Sequence, residues 1–109
     1  MYDHNQTFVP DSFLALHSSH GRPLLPREEM EARHDLCEDT ALHAAALLAA
    51  HVQDPADCAD ALRHCHDGLC ATLGAFSAAE SAWVVHRVAE LQGWPQPAWL
   101  AEARPAASQ

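Results

Sequence analysis

The sequence predicts an all-α fold, a compact bundle of four to five helices in a single domain of 109 residues. Residues 27–53 contain neither Gly nor Pro, and their apolar residues recur with the period of an α-helix. The segment Ser77-Ala78-Ala79-Glu80 has the spacing of a helix capping box. No stretch alternates apolar and polar residues as a half-buried strand would, and no internal repeat is evident. A chain of this length can bury one ordinary core but not two.

The amino-terminal part of the chain predicts one short helix and a loop. Residues 1–9 are polar and irregular, and we expect them to be flexible. Asp11 is placed to act as the N-cap of a short helix that ends near Ser18 and carries Phe13 on its apolar side. Helix-breaking residues then follow within residues 18–26, so this segment is expected to be a loop; they are Gly21, Pro23 and Pro26.

The longest predicted helix begins after Pro26 and continues to about Gln53. Acidic residues occupy its first turns, where they favour the positive end of the helix dipole. At 100° per residue one face is apolar, and it contains Met30, Cys37, Ala41, Ala44 and Leu48. Cys37 therefore lies at the centre of the expected buried stripe, with Leu36 and Leu47 on its shoulder.

A third helix is expected from Asp54 to about Leu73. Asp54 is a suitable N-cap, and a Pro at the next position suits the first turn of a helix. Its apolar face contains Cys58, Leu62, Cys65, Leu69 and Leu73. Gly68 permits a bend within this helix, and Gly74 is expected to close it.

The carboxyl-terminal third predicts two further helices. The capping box opens a helix that ends at Gly93 and places Val84, Val88 and Leu91 on one face. A last short helix is expected over residues 97–104, where it carries Trp99 and Leu100. Residues 105–109 are expected to be flexible.

Composition excludes several classes of function. The formal net charge is −9 and the chain has no Lys, so no basic stripe could neutralise a nucleic-acid backbone. No apolar run approaches the roughly 18 residues of a membrane span, and residues 1–16 lack the pattern of a signal peptide. We therefore expect a cytoplasmic protein that binds neither nucleic acid nor membrane, and whose four Cys remain thiols.

Three stretches carry a resemblance to a known group of proteins. They are FVPDSFLAL at 8–16, the segment from PRE at 26–28 to LCED at 36–39, and AWVVHRVAEL at 82–91 followed by Gly93-Trp94. The chain resembles small proteobacterial proteins of about this length, some of which are labelled "ATPase with chaperone activity". The resemblance implies an all-helical protein without a settled function. The ATPase label finds no support, because there is no glycine-rich phosphate loop followed by Lys.

The Cys and His residues raise the hypothesis of a zinc or copper site. His34 and Cys37 lie on one side of the second helix, and His66 and Cys70 lie together on the third. If the two helices packed antiparallel, the two pairs could form a Cys2His2 site, with Cys58 or Cys65 as substitute ligands. The alternative is that the Cys residues only pack, since Cys often behaves as a small buried hydrophobe. A thiol-based redox protein ranks third, because the neighbours of Cys65, His64 and His66, point to other faces.

The aromatic residues favour a different class of function, protein–protein interaction. Trp83, Trp94 and Trp99 are concentrated near the carboxyl terminus, and exposed Trp is a preferred interface anchor. Phe8 and Phe13 could form an arm that packs on the bundle or reaches a second subunit. The alternative is that Trp83 flanks the core and Trp94 packs over the end of the fourth helix. We expect a non-catalytic interaction or regulatory domain whose partner is another protein or a second copy of the chain, and metal binding is the alternative.

Overall fold

The predicted all-α bundle is confirmed in the computed structural model, which describes residues 9–72 and 74–103. The helices of this part of the chain are α1 (Asp11–Leu16), α2 (Arg27–His51), α3 (Cys58–Ala71), α4 (Ala78–Gln92) and α5 (Ala98–Ala103). A two-stranded hairpin of β1 (Ser18–Ser19) and β2 (Arg22–Pro23) joins α1 to α2, and a 3-10 turn at Pro55–Asp57 precedes α3.

Helix α4 is the centre of the bundle, and each of the other four helices packs against it. Six consecutive residues, Glu80 to Val85, are buried, so this part of α4 is covered on every side. A helix that is covered all round lies in the core. The surrounding helices contribute Phe13 from α1, Leu62 from α3 and Leu100 from α5, which are all almost fully buried.

Helices α2 and α4 run in the same direction. Arg33 bonds to Glu80, Glu38 accepts from Arg87, and further along the Ala45 carbonyl accepts from the side chain of Gln92. Because both members of each pair rise together in residue number, the helices are parallel, and α3 is the return connection between them. Helix α3 packs along α4 and has few direct contacts with α2. A groove is therefore left between α2 and α3.

The core stripe of α2 agrees in part with the predicted one. Met30, Cys37 and Ala41 are buried as predicted, and Cys37 is completely inaccessible. Ala44 and Leu48 are only half-buried, whereas His34 and Ala45 are buried. The physical reason is that α2 turns its core face towards one neighbour, α4, and its opposite flanks are left open.

Both ends of α4 form as the sequence predicts. The Ser77 hydroxyl accepts from the Glu80 backbone N–H, and the Glu80 carboxylate accepts from the Ser77 N–H, each at 3.0 Å. At the other end Gly93 has a left-handed φ of 71°, and the N–H groups of Gly93 and Trp94 close the helix. Leu91 was expected in the core but is 36% exposed, because the neighbouring helices do not cover this position of α4.

The amino-terminal ends of two helices differ from the predictions. Asp11 is not the N-cap of α1: the Pro10 carbonyl accepts the first helical bonds, which makes Asp11 the first helical residue. Asp54 caps the 3-10 turn instead of α3, since its carboxylate accepts from the Ala56 N–H at 3.0 Å. The α-helical bonding begins one turn later, at Cys58.

The predicted loop at residues 18–26 contains the short hairpin. Ser19 pairs with Arg22 across a two-residue turn, and both turn residues, His20 and Gly21, have positive φ values of 53° and 78°. Two residues of positive φ are typical of the type I′ turns that join tight hairpins. Strands of two residues are too short to produce an alternating pattern, so the sequence predicts only a loop here.

Candidate functional site

The structure does not bring the two predicted metal-binding pairs together. His34 and Cys37 lie on the buried face of α2 that packs against α4. His66 lies on the other outer helix, where its ring packs against Trp99 with centroids 5.5 Å apart and Cys70 Sγ lies 3.7 Å from its Nε2. Within residues 9–72 and 74–103, no three His, Cys, Asp or Glu side chains are grouped so as to hold a metal ion. The hypothesis required close packing of α2 against α3, and these two helices have few direct contacts.

The thiols have the surroundings of packing residues. Burial, with a smaller contribution from the Glu80 carboxylate, raises the pKa of the Cys37 thiol to about 12. Burial also raises the pKa of Cys65, which is half-buried on α3. Cys58 is 7% exposed, and Cys70 is the exposed member of the four free cysteines. A reactive Cys needs a lowered pKa, so Cys37 and Cys65 are poorly suited to thiol chemistry.

The aromatic residues predicted as interface anchors divide into two groups. Phe13 is fully buried and Trp83 is 9% exposed, so both are core residues and not surface anchors. Their rings meet edge to face with centroids 5.2 Å apart, and Trp83 Nε1 donates to Ser12 Oγ at 3.0 Å. Trp94 and Trp99 are half-buried. Phe8 lies outside the described residues.

Trp99 is further occupied by contacts within the bundle. The Arg63 guanidinium lies over its ring at 5.2 Å, a cation–π distance, and His66 packs against the same ring. Its Nε1 is buried and has no hydrogen-bond partner among the described residues. Trp99 thus holds α5 against α3, which leaves little of its surface for a partner protein.

The buried carboxylate of Glu80 joins three segments of the chain. The sequence predicted it only as half of a capping box. Glu80 is 2% exposed and accepts from Arg33 Nε at 3.0 Å and from Arg33 Nη2 at 2.5 Å. It also bonds to His17 Nε2 at 2.9 Å and accepts the Ser77 N–H. Burial acts to raise the pKa of Glu80, but the hydrogen bonds from Arg33, Ser77 and His17 outweigh burial and hold that pKa below its ordinary value. We call Glu80, Arg33, His17 and Ser77 the Glu80 cluster, and its role is to fix α1 and α2 on α4.

A cleft of about 470 Å³ lies where α1, α2 and α4 meet. Its walls include Ser12, His34, Glu38, Trp83, Arg87 and Glu90, and we call it the His34 cleft. His34 is 7% exposed, and its Nδ1 is buried without a hydrogen-bond partner within the described residues. A buried polar atom without a partner is uncommon, because it costs the desolvation of that atom.

Two carboxylates of the His34 cleft hold one guanidinium between them. Arg87 donates to Glu38 through Nε and Nη2, at 3.0 Å each, and through Nη1 to Glu90 Oε1 at 3.3 Å. The hydrogen bonds with Glu38 raise the pKa of Arg87, so it stays charged. The sequence contains a signal for this arrangement, since His34 and Glu38 are four residues apart on α2, as are His86 and Glu90 on α4.

A second depression, of about 480 Å³, follows the gap between α2 and α3. Its walls include Leu48, His51 and Val52 from the end of α2, and Asp60, Ala61 and Cys65 from α3. Leu47 lies one turn from His51 and is 50% exposed. Leu36 continues the same line about three turns earlier and is 42% exposed. We call this surface the α2/α3 groove and these two residues the leucine flank.

Comparison of the chain with protein-family models, with curated proteins and with solved structures finds no match. The resemblance to small proteobacterial helical proteins therefore stays a prediction. Among the described helices, none is long and apolar enough to cross a membrane.

Proposed function

We propose that the chain is a non-catalytic interaction domain that binds a basic amphipathic helix of another protein in the α2/α3 groove. The observation that carries this proposal is the leucine flank, where two Leu side chains are about half exposed on one line of α2. Single exposed apolar residues are ordinary, but a line of them beside an open groove is a feature of interaction sites. The four free cysteines support a place in the cytoplasm, where thiols stay reduced.

The shape of the groove favours a helix as its occupant. The groove runs between two helices of the bundle, and helical partners commonly lay their apolar face into such grooves. Leu48 and Val52 provide its apolar wall on α2, and Ala61 and Cys65 provide the opposite wall. All four are half-buried, so a docked helix would remove further apolar surface from water. Full burial of one Leu side chain contributes about 1.5–3 kcal/mol, so each half-exposed Leu of the flank could add about 1 kcal/mol to binding.

The charge of the groove favours a basic occupant over a second copy of the chain. Asp57, Asp60 and His64 line the α3 side, and His51 lines the α2 side, so the groove contains two carboxylates and no Arg or Lys. The chain carries a formal charge of −9, so two copies repel each other, whereas a basic segment is attracted. The occupant is therefore expected to carry Arg or Lys beside an apolar stripe.

The test uses two matched substitutions on the same helix. Leu47→Asp changes the leucine flank, and Leu42→Asp is its control, because Leu42 is equally exposed at 48% but lies roughly 140° around α2. The probe is an 18-residue helical peptide with Leu at every third or fourth position and Arg on its polar face. We expect saturable binding in fluorescence anisotropy, with the Kd raised about tenfold or more by Leu47→Asp and less than threefold by Leu42→Asp.

Three results would overturn the proposal. Equal weakening by both substitutions would show that the peptide does not recognise the leucine flank. Equal binding of a second peptide with Glu in place of Arg would contradict the basic occupant. A wild-type dimer in native mass spectrometry that Leu47→Asp converts to monomer would show that a second copy occupies the groove.

A further inference from the structure

We propose that His51 and His64 make the α2/α3 groove responsive to pH, so that it binds a basic helix when both imidazoles are neutral and releases it when both are protonated. This inference rests on the proposed function and concerns the regulation of the same site. Both imidazoles line the groove, His51 as the last residue of α2 and His64 from the middle of α3. Both residues are exposed, so they can exchange protons with the solvent.

The groove has few charged groups, so two protons change its charge balance substantially. Besides the two imidazoles, its titratable groups are the carboxylates of Asp57 and Asp60 and the Cys65 thiol, and it contains no Arg or Lys. With neutral imidazoles the formal charge of this lining is −2, and with both protonated it is −2 + 2 = 0. Imidazole ordinarily gains its charge between pH 8 and pH 5, whereas carboxylates are ordinarily ionised throughout this range. The attraction for a basic helix therefore weakens as the pH falls.

The charged neighbours of His64 on α3 leave this balance in place. Asp60 lies four residues before His64 and Asp67 three residues after it, so the imidazole lies between two carboxylates of its own helix. The cation next to it in sequence, Arg63, lies over the Trp99 ring at 5.2 Å and so is engaged by α5. Within the described lining of the groove, α4 contributes no charged side chain. Protonation of His64 is thus what adds positive charge to this wall.

His51 has a defined tautomer that suits a cationic partner. Its Nδ1 lies 2.8 Å from the Leu47 carbonyl oxygen. Because a carbonyl oxygen can only accept, Nδ1 carries the hydrogen, and Nε2 of the neutral ring is left as an acceptor. An Arg or Lys of a docked helix can donate to this nitrogen. Protonation of the ring removes the acceptor and adds a positive charge, so one proton weakens binding in two ways.

The α2 side of the groove has one further imidazole and one further carboxylate nearby. His43 is exposed and lies one turn before Leu47, beside the leucine flank, and Asp54 follows the end of α2 and accepts from the Ala56 N–H. Neither is part of the groove lining. Exposed charges more than about 8 Å apart are largely screened at physiological ionic strength, so we expect His43 to contribute less than His51 and His64.

The test is a peptide titration over a series from pH 8 to pH 5.5 at about 0.15 M salt. The probe is the Arg-bearing helical peptide, whose charge is constant over this range because Arg does not lose its proton. We expect the Kd of the wild type to rise about tenfold from pH 8 to pH 5.5, through the two added charges and the lost acceptor. In the double variant His51→Gln/His64→Gln, which changes two exposed residues, the Kd should rise less than threefold.

Two control variants each remove one imidazole from outside the groove. His20→Asn changes the hairpin that precedes α2, at a φ of 53° that Asn tolerates, and the tenfold rise in Kd should persist. His43→Gln should retain most of the rise. A rise of less than threefold in either control would overturn the assignment to His51 and His64.

The outcomes separate this inference from the proposed function. Absence of binding at pH 8 would overturn both. Binding at pH 8 with a Kd that rises less than threefold by pH 5.5 in the wild type would overturn the pH response alone. A tenfold rise that persists in the double variant would show that the response belongs to the whole chain and not to these two residues. In side-chain ¹⁵N spectra at pH 8, the His51 Nε2 signal should shift when the peptide binds, and an unchanged signal would refute its role as acceptor.

Discussion

Substitution of Glu80 by Gln should destabilise the fold by about 2–4 kcal/mol. Glutamine keeps the volume and one carbonyl oxygen, but its amide N–H groups take the place of the other oxygen and face Arg33 together with either His17 or the Ser77 N–H. Removal of one partner of a buried ion pair costs about 3–5 kcal/mol. Arg33 is 32% exposed and keeps part of its hydration, which lowers the expected cost to the range given.

Urea unfolding measures this loss directly. With a slope of about 1–3 kcal/mol per molar urea, the midpoint should fall by about 0.7–4 M in Glu80→Gln. Glu90→Gln makes the same chemical change at a carboxylate that is 49% exposed, and it should cost less than about 0.5 kcal/mol. A Glu80→Gln protein within 0.5 kcal/mol of wild type would refute the reasoning, because the cluster would then contribute no more than a surface pair.

The same cluster predicts the response of stability to acid. The pKa of Glu80 in the folded protein lies below its ordinary value of 4.5, so the unfolded chain binds the proton more readily. The stabilisation is therefore complete above about pH 4.5 and is lost as the pH falls through the lower pKa of the folded state. Unfolding free energies measured from pH 6 to pH 3 should fall more steeply in wild type than in Glu80→Gln. Parallel profiles would contradict this assignment.

Three further predictions concern single positions. Gly68→Ala should stabilise the fold by about 0.5–1 kcal/mol, because Ala is the better helix former and a methyl group at this position of α3 meets nothing within 4 Å. Gly93→Ala should instead cost about 1 kcal/mol, because the φ of 71° at Gly93 is unfavourable for Ala. Urea midpoints that move in the same direction in the two variants would contradict this pair of predictions. Ser77→Ala should cost about 1 kcal/mol through the lost bond to the Glu80 N–H, measured in the same way, and an unchanged midpoint would show that the cap contributes nothing. Iodoacetamide at pH 8 should label Cys70 in the folded protein and Cys37 only after unfolding, as read by peptide mass spectrometry; rapid labelling of Cys37 would revive a redox role.

The sequence predicted the features that depend on nearby residues. The capping box of α4, its Gly93 end and the long uninterrupted α2 are local, and all three form as expected. The direction of packing was not predictable, because helical periodicity identifies an apolar face but not the helix that covers it. The metal hypothesis depended on contact between α2 and α3, and it loses its geometric basis because α4 takes the place beside α2.

The sites themselves could not be predicted from the sequence, because they are formed by residues that are distant in sequence. Arg33 and Glu80 are separated by 47 positions, and nothing near either residue indicates the other. The pairs that face each other in the His34 cleft are visible as two repeats of four-residue spacing, but this spacing is common on helix surfaces. Only the parallel arrangement of α2 and α4 brings His34, Glu38 and Glu90 into one wall.

The leucine flank and His34 place different demands on the fold. The leucine flank lies outside the core, so its substitution should leave stability nearly unchanged, and a loss of binding in Leu47→Asp can be assigned to the surface itself. His34 lies inside the core beside Phe13 and Trp83, where Leu or Phe would pack without an unpartnered nitrogen. A buried imidazole nitrogen without a bond is destabilising, so His34→Phe should not lower the free energy of unfolding.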